Sequence, residues 1–171
     1  MRTIMVCGCG GSGKSEVASQ LGQRLGLPIV LLDMEYWDEH WNALAPESFA
    51  QRQRELVADD EWIIDGNYAS TMPIRLGKAE AVIFLDIHPL VCLWGIMQRR
   101  YQHRGDDVHS RHRRGRITLG FVRYILRYRR TMRPRVERLI AEHAVGELIR
   151  LRTRREVRRF LAAIPSGSES S

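Results

Sequence analysis

Residues 8–15 read Gly-Cys-Gly-Gly-Ser-Gly-Lys-Ser. The spacing is G-x-x-x-x-G-K-[ST], and each residue type in it has a task. Glycines let backbone N–H groups turn inward around a chain of phosphates, and a helix N-terminus directly behind adds its dipole. A lysine at the end of the run neutralises the outer phosphates, and the hydroxyl after it takes a position on Mg²⁺. Gly8, Gly10, Gly11, Ser12, Gly13, Lys14 and Ser15 are therefore the expected ligands of ATP. The motif gains force from its setting between a short apolar run, "TIMVC" (3–7), and a helical pattern that begins at Lys14.

Three carboxylates close apolar runs: Asp33 after "PIVLL", Asp65 after "EWII" and Asp86 after "AVIFL". Magnesium in such a site needs an acidic anchor beside the hydroxyl, at the tip of a neighbouring strand. Asp65 is the expected anchor with Ser15, because "DGNY" continues into donors and acceptors. Asp86 runs into a plain helix start, where a turn or cap role suffices. Asp33 is the candidate base if the acceptor is a hydroxyl. If the acceptor is itself a phosphate, no base is needed and Asp33 positions substrate or caps a helix.

Asp33, Asp65, Asn67, Tyr68 and Arg75 form the expected acceptor side. Tyr36, Trp37 and Trp41 either stack on a substrate or wall a helical flap. Trp41 reads as wall, and Trp37 fits both. Arg100 and Arg104, at a helix-to-lid junction, are chosen to close over the transferring phosphoryl group, Arg100 also touching the nucleotide. Arg99, Arg111, Arg113 and Arg114 compete for that role. Cys7-x-Cys9 and the histidines at 103, 109 and 112 lack the further ligands of a zinc set, so no structural metal is expected.

These residues need elements to hold them. Val17, Ala18, Leu21 and Leu25 share a helical face that ends at Gly26 and Pro28. "PIVLLD" (28–33) reads as a buried parallel strand, Pro46 opens a helix to about residue 58, and "EWIIDG" and "AVIFLD" are two more strands. After Pro89, Leu90, Leu93, Trp94, Met97 and Tyr101 recur at helical spacing. Residues 100–116 read as a lid rich in Gly, Asp, His and Arg. Phe121, Tyr124, Ile125 and Tyr128 mark a helix broken or bent near Pro134 and resumed by Val136, Leu139 and Ile140. "ELIRL" (147–151) is the last strand, "TRRE" (153–156) a capping box for the last helix, and 166–171 a disordered tail. Alternating strands and helices predict one α/β domain over 1–165, a parallel sheet covered on both faces.

The chain of 171 residues is 44 % hydrophobic and carries a net charge of +7, with all but two of its basic residues arginine. Such a balance predicts anionic partners, either phosphorylated small molecules or nucleic acid. No run reaches the ~18 apolar residues of a membrane span. Three cysteines and an N-terminus running straight into the glycine loop predict a cytoplasmic protein without a disulfide framework. The sequence sets no oligomeric state.

"GGSGKS", "LPIVLLDMEYW", "WIIDGNYASTMPIRL", "VIFLDIHPLVCLWGIMQRR" and "LIRLRTRREVRRFL", in that order over roughly residues 3–162, resemble the small P-loop kinase-like proteins known as DNA topology modulation proteins, relatives of adenylate kinase. The resemblance implies a P-loop nucleoside-phosphate-kinase fold: a three-layer α/β/α sandwich, five parallel strands in the order 2-3-1-4-5, and an Arg-bearing lid. It implies an ATP- and Mg²⁺-dependent phosphotransferase acting on a small acceptor, a nucleotide or nucleoside. Two departures bear on the acceptor. Glu16 stands where such loops often continue with Thr, which predicts a side chain pointing away from the phosphates. Asn67 and Tyr68 follow Asp65-Gly66 where adenylate kinases place an arginine for the acceptor's phosphate. A phosphate acceptor needs positive charge, and the segment after Asp33 is acidic and aromatic. The pattern therefore favours an uncharged hydroxyl acceptor. A nucleic-acid-associated ATPase is the alternative class, without a helix-turn-helix, zinc finger or aromatic-basic signature to support it. A P-loop protein that binds without turnover is a third.

Overall fold

A computed structural model describes residues 1–38, 40, 42–102 and 119–165, with backbone alone for 99–102. The expected lid beyond 102, Arg104, Trp41 and the tail at 166–171 lie outside the described residues.

Five strands pair in the order β2-β3-β1-β4-β5, all parallel, as expected. They are β1 (Thr3–Gly8), β2 (Ile29–Leu31), β3 (Trp62–Asp65), β4 (Ala81–Leu85) and β5 (Glu147–Leu151). β1, β3 and β4 are buried throughout because both faces of the sheet are covered. On one face Ile4, Val6, Ile63, Ile83 and Leu85 pack under α1 (Lys14–Leu25) and α7 (Arg154–Ala163). On the other, Met5, Trp62, Ile64, Val82 and Phe84 meet α3 (Pro46–Leu56), α4 (Met72–Leu76) and the C-terminal half of α6 (Leu119–His143). Each such buried aliphatic side chain stabilises the fold by about 1.5–3 kcal/mol relative to exposure.

The register places the chemistry. Val6 pairs with Asp65 and Leu31 also pairs with Asp65, so the chain ends of β1, β3 and β2 lie side by side. The phosphate loop, Asp65 and Asp33 therefore meet at one end of the sheet, where ligands of open parallel sheets bind.

The structure departs from the sequence reading at four places. β2 is an edge strand, three residues long with Ile29 exposed, and is not buried. The chain turns at Leu32 into a single helical turn, α2 (Leu32–Glu35), so Asp33 sits in that turn rather than at a strand tip. The core face of α5 (Pro89–Gln102) is Cys92, Leu93 and Ile96, whereas Leu90, Trp94 and Met97 are exposed. Finally, α6 is one continuous helix with Pro134 inside it. Pro134 is exposed and the helix is pinned on both sides of it, by Ile125 and Tyr128 and by Val136 and Ile140. Burial of those four side chains outweighs the hydrogen bond that proline removes.

Candidate active site

β1 delivers Gly8 to the loop with φ 146°, and a Cβ there would lie 2.5 Å from the Leu85 carbonyl oxygen of β4. Only glycine fits. The loop closes tightly, Ser12 N–H donating to Cys9 C=O at 3.1 Å, and α1 starts at Lys14 behind a left-handed Gly13. The Lys14 ammonium donates to the Cys9 carbonyl at 3.2 Å, folded along the rim of its own loop. Glu16 accepts from Gln20 at 2.6 Å and is exposed, turned away from the loop.

Ser15 Oγ donates to Asp65 Oδ2 at 2.6 Å. Asp65 is 7 % exposed and its Oδ1 has no hydrogen-bond partner. Burial pushes its pKa up, against the pull of Lys14 and the Ser15 hydrogen bond, and the nearby Asp33 charge pushes the same way as burial. A buried, half-satisfied carboxylate locked to a hydroxyl fits a Mg²⁺ ion.

Asp86 is occupied elsewhere. Arg133 of α6 grips it with Nε and Nη2, each 2.9 Å from a carboxylate oxygen. Glu137 lies 3.3 Å from Arg133 and 2.7 Å from Arg150, extending the pair into a chain that ties α6 to β4 and β5.

Asp33 is exposed and accepts from Tyr68 Oη at 2.9 Å. Burial, then the Asp33 charge, pushes the Tyr68 hydroxyl's pKa well up, so Tyr68 is a donor at any working pH. Tyr36 packs on Trp37, Phe49 and Tyr68 with ring centroids 5.2–5.4 Å apart. These rings wall the space beside Asp33.

Asn67 and Arg75 do not sit as the sequence suggested. Asn67 Oδ1 accepts from Gly8 N–H at 2.9 Å and its Nδ2 donates to Gly8 C=O at 2.6 Å, so the side chain clasps the phosphate loop instead of facing an acceptor. Arg75 is fully buried, its Nη1 and Nη2 each donating at 2.7 Å, to the Gly66 and Asn67 carbonyls. Burial lowers its pKa to about 10, which leaves it charged near neutrality. Its sequence position suggested a phosphate anchor. The turn of α4 points it inward, where its guanidinium serves the Gly66 and Asn67 carbonyls and also lies 3.4 Å from the Tyr68 carbonyl.

Arg154 was missed. It opens α7, donates to the Gly11 carbonyl at 3.1 Å, and lies so close to Gly13 that a Cβ there would meet its Nη1 at 2.5 Å. The "TRRE" box marks the helix start, but nothing local says that this start abuts the loop. Cys7, Cys9 and Cys92 are all buried and free. Cys7 is pushed up to about 12 by burial, which makes it an inert core thiol. The α5 backbone carries Arg100 in its last turn.

The architecture and the loop together define the P-loop kinase-like fold. A shikimate kinase from Acinetobacter baumannii in complex with shikimate superposes with a TM-score of 0.62 at 17 % identity, covering 99 % of this chain and 96 % of that one. A shikimate kinase from Bacteroides thetaiotaomicron gives 0.58 at 14 %, covering 93 % of each chain. A sugar kinase from Janibacter sp. HTCC2649 gives 0.52 at 18 %, covering 95 % of this chain and 93 % of that one. No protein-family model matches the chain, and no curated protein does.

Proposed function

We propose that this chain is a small-molecule kinase, moving the γ-phosphoryl group of Mg-ATP onto a hydroxyl acceptor. The observation that carries the reading is the Ser15–Asp65 pair beside Lys14, with the Tyr68-held Asp33 in the helical turn that follows β2. The fold is that of kinases of small hydroxylated molecules, which agrees with it. Descent from the DNA topology modulation proteins, relatives of adenylate kinase, is proposed on the sequence resemblance alone.

The loop amides and Lys14 would hold the β- and γ-phosphates, and Ser15 with Asp65 would hold Mg²⁺, which supplies charge neutralisation at the phosphates when bound. Asp33 orients the acceptor hydroxyl and takes its proton. The acceptor oxygen forms a bond to the γ-phosphorus, the bond from that phosphorus to the β–γ bridging oxygen breaks, and ADP leaves. Arg100 and Arg104 are proposed to close over the group in transfer.

A neutral hydroxyl acceptor is favoured over a phosphate. Among the described residues Arg75 is committed to carbonyls and Arg52 to Glu35 at 2.8 Å. The test is ADP release from Mg-ATP against a panel of nucleosides, nucleoside monophosphates, sugars and small polyols. Stimulation by an uncharged hydroxy compound, lost in Asp33→Asn by about 10²–10⁴-fold in kcat, is expected. Stimulation by monophosphates alone, indifferent to Asp33→Asn, would reject the hydroxyl reading.

A further inference from the structure

The turn that follows β3 touches both halves of this site. Asn67 makes two hydrogen bonds to the one peptide residue that opens the phosphate loop, accepting from Gly8 N–H and donating to Gly8 C=O. The next residue, Tyr68, donates to Asp33. The turn's carbonyl side is fixed from beneath by Arg75, and Thr71 N–H donates to the Tyr68 carbonyl at 3.0 Å. With its backbone held, the turn extends one side chain toward β1 and the next toward β2, the two neighbours of β3 in the sheet. Tyr68 pays for that reach. At φ 32° it is the one described non-glycine residue in the left-handed region, a conformation costing about 1–3 kcal/mol that persists where the surroundings over-determine it.

We propose that Gly66-Asn67-Tyr68 is a bracket coupling the nucleotide loop to Asp33, in which Asn67 is a positioning residue that passes nucleotide binding at 8–15 to Asp33 through the Tyr68 hydroxyl. The proposal rests on the nucleotide-binding part of the kinase reading. Phosphates entering the loop order its peptides. Gly8 cannot settle without settling the carboxamide that holds both its polar groups. The Asn67 backbone is pinned, so the ordering is transmitted to Tyr68 and fixes Asp33 for the acceptor. Coupling of this kind needs no large movement, because a ligand that rigidifies one end of a bonded unit lowers the ordering cost at the other. Asp33 is thereby held more firmly when donor is bound, which would limit idle transfer to water.

Amide hydrogen exchange of the full chain with and without saturating Mg-ADP tests this. In the wild type, Mg-ADP should slow exchange at 9–16 and also at 32–37, the latter by about fivefold or more, the lower end of typical inter-site coupling. In Asn67→Ala the protection at 9–16 should persist at saturation while the change at 32–37 falls below about twofold. Tyr68→Phe, which keeps the ring and loses only the hydroxyl, should give the same loss at 32–37 and serves if Asn67→Ala does not fold. An unchanged remote effect in these variants overturns the bracket. So does a wild type protected at 9–16 but not at 32–37. A wild type with no protection at 9–16 overturns the nucleotide reading and the bracket with it.

Discussion

At the scale of single residues, Asp65 is the group whose environment departs furthest from water while still having work to do. Burial raises its pKa above the ~3.9 of an unfolded aspartate. Between the unfolded and the folded pKa the native chain holds a proton that the unfolded chain has lost, so stability falls as pH rises through that window. Asp65→Asn cannot ionise and still accepts from Ser15. It is expected to melt higher than the wild type near neutral pH, the difference shrinking as pH falls below the window, as thermal melts across pH would show. The same change should weaken Mg²⁺ by about 10–100-fold. The wild-type kcat/KM should decline on the acid side at a pH above that of an ordinary aspartate. Arg75 makes the opposite kind of prediction. Arg75→Met strips the donors from one buried and one half-buried carbonyl and should cost about 2–4 kcal/mol in denaturant unfolding. Its partners were beyond sequence reasoning, because a lone arginine after "ASTMPI" reads equally as anchor or ligand until α4 turns it inward.

Elements decide which of these groups meet. The glycine loop, strand, helix and capping box were legible because their signals are local. Thr153 accepts from Glu156 N–H at 3.1 Å, as the box predicts, while the Glu156 carboxylate reaches one residue further back and accepts from Arg152 N–H at 2.7 Å. Thr153→Ala should cost about 1 kcal/mol, roughly 2–4 °C in melting temperature for a chain of this size. It would also loosen the helix start that carries Arg154 to the loop. What was not legible depends on contacts between elements. Leu90, Trp94 and Met97 have a core-like spacing, yet the other side of α5 faces the core, which a repeat of apolar residues on two sides cannot reveal. Asp86 looked like a cap until α6 brought Arg133 to it from 47 positions away. Asp86→Ala leaves that partly exposed arginine with Glu137 alone and should cost about 1–3 kcal/mol. Mg-nucleotide affinity should stay unchanged, separating it from Asp65; calorimetric titration of both variants checks this.

Across the whole molecule the charge is uneven. The acceptor side is acidic and aromatic, while α6 and α7 expose Arg123, Arg127, Arg130, Arg155, Arg158 and Arg159. No helix among the described residues is long and apolar enough to cross a membrane. Arginine on solvated helix faces attracts any polyanion, and binding of that kind collapses with salt, by about 10³–10⁵-fold between 50 and 200 mM for six to ten phosphate contacts. Duplex DNA titrated over that range should follow this steep decline without altering ADP release. The central claim concerns where the terminal phosphate goes. The direct measurement follows γ-labelled Mg-ATP with the acceptor panel and divides the label between phosphoester and inorganic phosphate. The account predicts label in a phosphoester for the wild type and almost none in Lys14→Ala. Label only in inorganic phosphate, or a phosphoester formed equally by Lys14→Ala, would contradict it.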